Sequence, residues 1–240
     1  KIKCWGDNYC GQLGLGDPID RGTTALSMGD NLPIVDLGTD YEAIEVACGG
    51  FHTCAILANG RMKCWGQNIA GQLGLEDSIN RGDQSGEMGN NLKFVKIQGK
   101  DLIAVTVALG GQHTCAISIS GDLFCWGLGV FGQLGIPDAL FFGANSGDMV
   151  GLQPVDLGTG RSAIAITLGN AHTCVLLNVS AVACFGSNDS GQLGIGSTSD
   201  KIGDGVGDMG DNLQTVDLGT GRSAAQVAAG YGHTCAVLDN

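Results

Sequence analysis

Proline is scarce in this 240-residue chain, at 4 residues, and positive charge is scarce too, with 12 Lys and Arg against 24 Asp and Glu. The formal charge of −12 excludes the commonest route to nucleic-acid affinity, in which Lys and Arg neutralise phosphates. No dense basic cluster occurs, and the same negative charge opposes contact with anionic lipid. No apolar run approaches the roughly 18 residues of a membrane-spanning helix, so no direct membrane insertion is expected. A starting Met and a signal peptide are missing as well. The chain opens abruptly at Lys1-Ile2-Lys3-Cys4, as a processed product or a cropped segment would.

Glycine is abundant, at 42 residues, and 43% of residues are hydrophobic. Those apolar residues fall in short regular runs, which argues against disorder and for many short strands joined by tight turns. Three landmarks then recur in a fixed order. The first is Cys4-Trp5-Gly6, repeated at Cys64-Trp65-Gly66, Cys125-Trp126-Gly127 and Cys184-Phe185-Gly186. Gly-Gln-Leu-Gly follows, starting at Gly11, Gly71, Gly132 and Gly191, and His-Thr-Cys comes last, starting at His52, His113, His172 and His233. The spacings are 60, 61 and 59 for the first two landmarks and 61, 59 and 61 for the third. A period this regular marks a propeller or solenoid. The expected fold is all-β, a propeller-type array of four repeats at approximately 4–63, 64–124, 125–183 and 184–240. It is either a closed ring, with residues 1–3 completing the last blade, or a segment of a larger propeller or array.

Within a repeat, His52 to Trp65 reads as a β-hairpin turning at Ala58-Asn59-Gly60, where Gly60 can take a positive φ. That register sets Cys54 opposite Cys64 and Ile56 opposite Met62 on one face, with Thr53 opposite Trp65 on the other. The same register sets Cys115 opposite Cys125 and Cys174 opposite Cys184. Cysteines facing each other at a non-hydrogen-bonded pair can reach disulfide geometry. Each bond would close a loop of about ten residues and stabilise by roughly 2.5–3 kcal/mol in the chain-entropy model. Zinc is the alternative, since each repeat offers two cysteines and a histidine, but zinc needs four convergent ligands. Cys4 and Cys235 continue the series, and if the ends meet they pair, with Val237 opposite Ile2. Cys10 and Cys48 break the pattern, their counterparts being Ala70, Phe131 and Ser190, and Leu109, Leu168 and Ala229. Both exceptions fall in one repeat, so a Cys10–Cys48 bond is expected. Five pairs among ten cysteines imply a secreted or cell-surface location.

The unit VACGGFHTCAILANGRMKCWGQNIAGQLGLED, from Val46 to Asp77, resembles the regulator of chromosome condensation repeat, and the resemblance extends over the whole chain. It implies blades of a β-propeller, usually seven, with one blade closed by strands from both chain ends. The founding member is a nuclear exchange factor for a small GTPase that docks on chromatin; others are interaction modules or extracellular proteins. The paired cysteines and the acidity argue against exchange activity here, and no catalytic residue is carried over. Met28-Gly29-Asp30-Asn31-Leu32 and Met209-Gly210-Asp211-Asn212-Leu213 resemble a variant common in secreted microbial and algal proteins.

The histidines, one per repeat, are expected to make structural hydrogen bonds, and Trp5, Trp65, Trp126 and Phe185 to pack blades. Loop carboxylates make calcium a candidate cofactor: Asp17, Asp20 and Asp30; Glu76, Asp77, Asp83 and Glu87; Asp200, Asp204, Asp208 and Asp211. No EF-hand spacing accompanies them. Arg81-Gly82-Asp83 matches an integrin-binding tripeptide and is read as loop sequence, because its counterpart is Arg21-Gly22-Thr23. Asn178-Val179-Ser180 and Asn188-Asp189-Ser190 are N-glycosylation sequons, the former on a hairpin tip. No nucleophile motif, phosphate-cradling loop or distinctive acid pair points to catalysis. The expected role is a non-enzymatic extracellular scaffold with protein partners or self-assembly. A glycan- or calcium-dependent adhesion propeller is the alternative, and an exchange factor the third reading.

Overall fold

A computed structural model describes residues 1–198 and 201–239. Asp200, one of the loop carboxylates, and Asn240, the last residue of the fourth repeat, lie outside the described residues.

The strands are short and antiparallel, as the alternating apolar runs require. β1 (Ala43–Cys48), β2 (His52–Leu57) and β3 (Met62–Gly66) make the first sheet. A small hairpin, β4 (Lys96–Ile97) and β5 (Lys100–Asp101), leads to a four-stranded sheet of β6 (Ala104–Leu109), β7 (His113–Ser118), β8 (Leu123–Leu128) and β9 (Phe141–Phe142). After one helical turn, α1 (Asp148–Gly151), come β10 (Ala163–Leu168), β11 (His172–Leu177) and β12 (Val182–Gly186). The last sheet holds only β13 (Ala224–Ala229) and β14 (Thr234–Leu238). The three sheets that hold a Cys-Trp/Phe-Gly strand straddle the landmark-defined repeat boundaries, because that motif is the outer strand of one blade rather than the start of the next.

The hairpin register reads as the residue pattern predicts, with Cys54 opposite Cys64, Cys115 opposite Cys125 and Cys174 opposite Cys184. In the first hairpin the turn closes through Gly60 N–H to Leu57 O at 2.7 Å, with Gly60 at φ 78°, where a Cβ would cost energy. A β-bulge recurs at the start of each inner strand, between Ala43 and Glu45, Ala104 and Thr106, Ala163 and Ala165, and Ala224 and Gln226. The bulge tightens the local twist.

The hydrophobic core lies between sheets rather than within them. Cys54, Cys64, Leu109 and Trp126 belong to one buried cluster spanning the first two blades, and Cys115, Cys125, Leu168 and Phe185 to the next. Inner strands β1, β6, β10 and β13 follow one another around an axis. Backbone bonds stitch the turns beside them: Gly50 N–H to Gly110 O, Gly111 N–H to Asn170 O, and Asn170 N–H to Tyr231 O. The result is a propeller-type arc. Among the described residues β14 pairs with β13 alone and residues 1–5 join no sheet, so no strand pairing closes a ring. Residues 1–6 instead hold to their own repeat, through Val35 N–H to Ile2 O at 3.0 Å and a bridge from Gly6 to Arg21.

Candidate functional site

The repeated polar residues form one interlocking joint, used at each blade boundary. Thr53, Thr114, Thr173 and Thr234 each donate their hydroxyl to the carbonyl of the glutamine in Gly-Gln-Leu-Gly: Gln12, Gln72, Gln133 and Gln192, at 2.8–2.9 Å. The indole N–H of Trp65 and of Trp126 donates to the Gln12 and Gln72 carbonyls too. Because the threonine proton is committed, the oxygen is left to accept. It accepts from the preceding blade's histidine: His52 Nε2 to Thr114 at 2.8 Å, His113 to Thr173 and His172 to Thr234 at 3.0 Å. This fixes the Nε2–H tautomer. The other ring nitrogen, Nδ1, is buried and unpartnered in His52, His113 and His172. A Cβ at Gly49 would meet His52 Nδ1 at 2.8 Å, so only glycine lets the strand turn approach the ring.

Burial disfavours the charged imidazole. His52 and His113 are lowered to about 3, with His52 and His172 adding repulsion at His113, and His172 is lowered to about 4 by burial and then by His233. These rings hold blades together as neutral donors.

The glutamine side chains tighten the same loops. Gln12, Gln72, Gln133 and Gln192 accept through Oε1 from the backbone N–H two residues earlier. Asn8, Asn68 and Asn188 accept from Leu13, Leu73 and Leu193 N–H and donate across the loop to Asp17, Asp77 and Ser197 carbonyls.

The ten cysteines divide into two classes. Cys54–Cys64, Cys115–Cys125 and Cys174–Cys184 are bonded, with Cα atoms 4.1 Å apart in each. Cys4, Cys10, Cys48 and Cys235 are free thiols. The expected Cys10–Cys48 bond is not formed: Cys10 is buried with Gln67 Nε2 at 3.8 Å, whereas Cys48 lies exposed at the end of β1. Cys235 and Cys4 do not meet either, because β14 and residues 1–5 are not paired. Instead Cys4 and Cys48 face one cavity of about 400 Å³.

The two sequons also separate. Asn178 is exposed on its hairpin tip. Asn188 is 1% exposed, and its amide nitrogen donates to Ser197 O at 2.6 Å, so it cannot serve as an acceptor in the folded chain. The sequon is a local pattern, and the loop clamp that buries Asn188 is not local.

Six of the chain's loop carboxylates have structural duties. Asp17 pairs with Arg21 and Asp77 with Arg81, at 2.7 and 2.6 Å, and Asp204 with Lys201. Glu87, Asp148 and Asp208 each accept from two backbone N–H groups of their own loops. Burial, and the Asp83 carboxyl beside it, push Glu87 above the usual carboxylate range. No cluster of three His, Cys, Asp or Glu side chains able to hold a metal occurs among the described residues. Arg81-Gly82-Asp83 is not a presented loop, since Arg81 is tied to Asp77 and the Asp83 backbone packs against Gly11.

Two features escaped sequence reasoning. Lys63 is fully buried: its ammonium donates to Leu37 O and Gly89 O at 2.8 Å and lies over the Phe94 and Tyr41 rings. At the axis, a cavity of about 770 Å³ is bordered by the exposed rings of Phe51, Phe131 and Tyr231, with Gln112 and Asn170 and no charged side chain.

Two models of the Regulator of chromosome condensation (RCC1) repeat match this chain, one over residues 4–56, 120–176 and 181–237, the other over 43–72 and 104–133. The chain belongs to this family. Among its relatives, the probable E3 ubiquitin-protein ligase HERC6 of Homo sapiens is 31% identical over 233 residues, which are 95% of this chain and 20% of that protein. The ultraviolet-B receptor UVR8 of Arabidopsis thaliana is 30% identical over 203 residues, 84% of this chain and 40% of that protein. This RCC1-repeat chain thus spans about a fifth of its human ligase relative. Yeast RCC1 (Prp20), crystallised bound to Kap60, superposes with a TM-score of 0.66 at 18% identity, over 96% of this chain and 48% of that one. A second structure of the Saccharomyces cerevisiae protein gives a TM-score of 0.64 at 16% identity, over 97% of this chain and 50% of that one. Both support the propeller fold.

Proposed function

We propose that this chain is a non-enzymatic, extracellular protein-interaction scaffold whose contact surface is the aromatic mouth of the axial cavity. One observation carries the reading. The repeated Thr and Gln residues, the His52, His113 and His172 rings and the three bonded cysteine pairs are committed to joining strands and blades, whereas Phe51, Phe131 and Tyr231 stay exposed around one depression. Exposed aromatic rings beside amide side chains are the composition of a protein contact core rather than of a catalytic centre. RCC1-type relatives use such repeats as one part of much larger proteins, and yeast RCC1 has been seen bound to another protein. The extracellular part of the reading rests on the three hairpin disulfides and the acidic balance.

Two experiments test it. Non-reducing mass spectrometry of protein taken directly from its natural source should find Cys54, Cys64, Cys115, Cys125, Cys174 and Cys184 blocked. Free thiols at all six would end the extracellular reading. With a partner identified by cross-linking, the Phe51→Ala/Tyr231→Ala variant should weaken direct binding at least about ten-fold, since aromatic anchors often contribute 2 kcal/mol or more. Unchanged affinity would move the contact surface elsewhere. Aromatic rings with amides and no charge also suit neutral sugars, and a glycan array distinguishes that second reading. Stimulated nucleotide release from a small GTPase would replace both.

A further inference from the structure

The four free cysteines are not equivalent. Cys4 and Cys48 come from separate segments, the stretch before the first loop and the end of β1, yet both line the same cavity of about 400 Å³, together with Val46, His52 and Thr53. The neighbouring blades show why they meet. Position 48 is occupied by Leu109 and Leu168 in the next two repeats, and position 4 by Cys64 and Cys125. Leu109 shares a buried cluster with Cys54 and Cys64, and Leu168 shares one with Cys115 and Cys125. In both of these joints the inner-strand end of one blade shares a buried cluster with the hairpin cysteines of the blade before it. In the first joint alone, the packing residue is itself a cysteine.

We infer that Cys4 and Cys48 form an oxidation site, closed into an inter-blade disulfide by exchange with a low-molecular-weight disulfide such as oxidised glutathione. The exposed Cys48 opens the reaction: its thiolate attacks one sulfur of the small disulfide and expels one molecule of small thiol. Cys4 then loses its proton to solvent, attacks the Cys48 sulfur and expels the second small thiol. Two protein thiols are oxidised and one external disulfide is reduced to two thiols. The order follows from access and acidity. Burial, and then the nearby Cys48 sulfur, push the Cys4 thiol up to about 11, so it is mainly protonated near neutrality and reacts second. The product ties residues 1–5, which join no sheet, to inner strand β1.

The test is a thiol count on the purified chain before and after incubation with oxidised glutathione. Denaturation in N-ethylmaleimide, digestion and mass spectrometry without reductant follow. The free thiols should fall from four to two, with a cross-linked peptide pair containing Cys4 and Cys48, and Cys10 and Cys235 still alkylated. Cys48→Leu, which restores the residue of the neighbouring blades, should keep the fold and leave Cys4 alkylated under the same treatment. A Cys10–Cys48 link, a link from Cys4 to Cys235 within or between chains, or Cys4 and Cys48 both left free or only glutathionylated would each overturn the inference.

Discussion

Trp5 and Trp126 occupy the same place in the same repeat motif, yet Trp126 is 0% exposed and Trp5 is 63% exposed. The contrast extends through both regions. In the complete blade of β6, β7, β8 and β9, Cys115 and Cys125 are bonded and buried, and His113 bonds to a threonine across the joint. At the ends of the arc, Cys4 and Cys235 are unbonded, and the His233 ring has no cross-joint threonine bond of the kind that His52, His113 and His172 make, among the described residues. A repeat motif thus supplies half of a joint, and its neighbour supplies the other half. Nearest-neighbour stabilisation of this kind is the general physics of repeat proteins.

The largest test is acid. The folded-state values of His52, His113 and His172 lie below the ordinary imidazole value of 6.5, so the unfolded chain binds more protons as the pH falls. Their contribution is fully present above about pH 6.5 and is lost below it, by about 1.4 kcal/mol per pH unit for each ring until its folded value is approached. Urea unfolding at pH 7 and pH 5 should show a loss of several kcal/mol, and His113→Asn should flatten that slope. A slope unchanged in the variant would show that the central joint does not carry it.

Trp126→Ala should cost about 3–5 kcal/mol in urea unfolding, and Trp5→Ala below about 1 kcal/mol. Equal costs would mean that Trp5 is covered in solution. Next comes the disulfide: the Cys115→Ser/Cys125→Ser variant should lose about 2–4 kcal/mol, whereas Cys235→Ser should shift the thermal midpoint little. The smallest contrast is between two lysines at one repeat position. Lys63→Met strands the Leu37 and Gly89 carbonyls and should cost about 1–3 kcal/mol, while Lys3→Met, which loses one exposed bond to Gly29 O, should stay within about 0.5 kcal/mol.

The hairpin register was legible in the sequence because strand side chains alternate faces with a period of two, and three hairpins obey one alignment. The pairings of Cys54, Cys115 and Cys174 follow from that alignment. The histidine joint was half legible: a repeated His-Thr-Cys implied structural bonding, but not that each ring reaches the next blade's threonine, about sixty residues away. Cys10 and Cys48 were grouped because both depart from the repeat within one period. Coincidence in sequence did not bring them together, since Cys10 faces Gln67 and Cys48 faces Cys4's cavity. Asn188 and the ring of Phe51, Phe131 and Tyr231 were invisible for a related reason. Exposure depends on neighbouring loops, which local patterns do not encode.

By itself the sequence determined the family, the all-β class, the hairpin register and the three bonded pairs, because all of these depend on contacts within about ten residues repeated in phase. The tertiary structure alone decided which cysteines stay free, which sequon is accessible, where the aromatic mouth opens and that residues 1–5 stay outside the sheets. Those outcomes depend on how far one blade turns relative to the next, and that angle is set by packing between sheets rather than by any single strand.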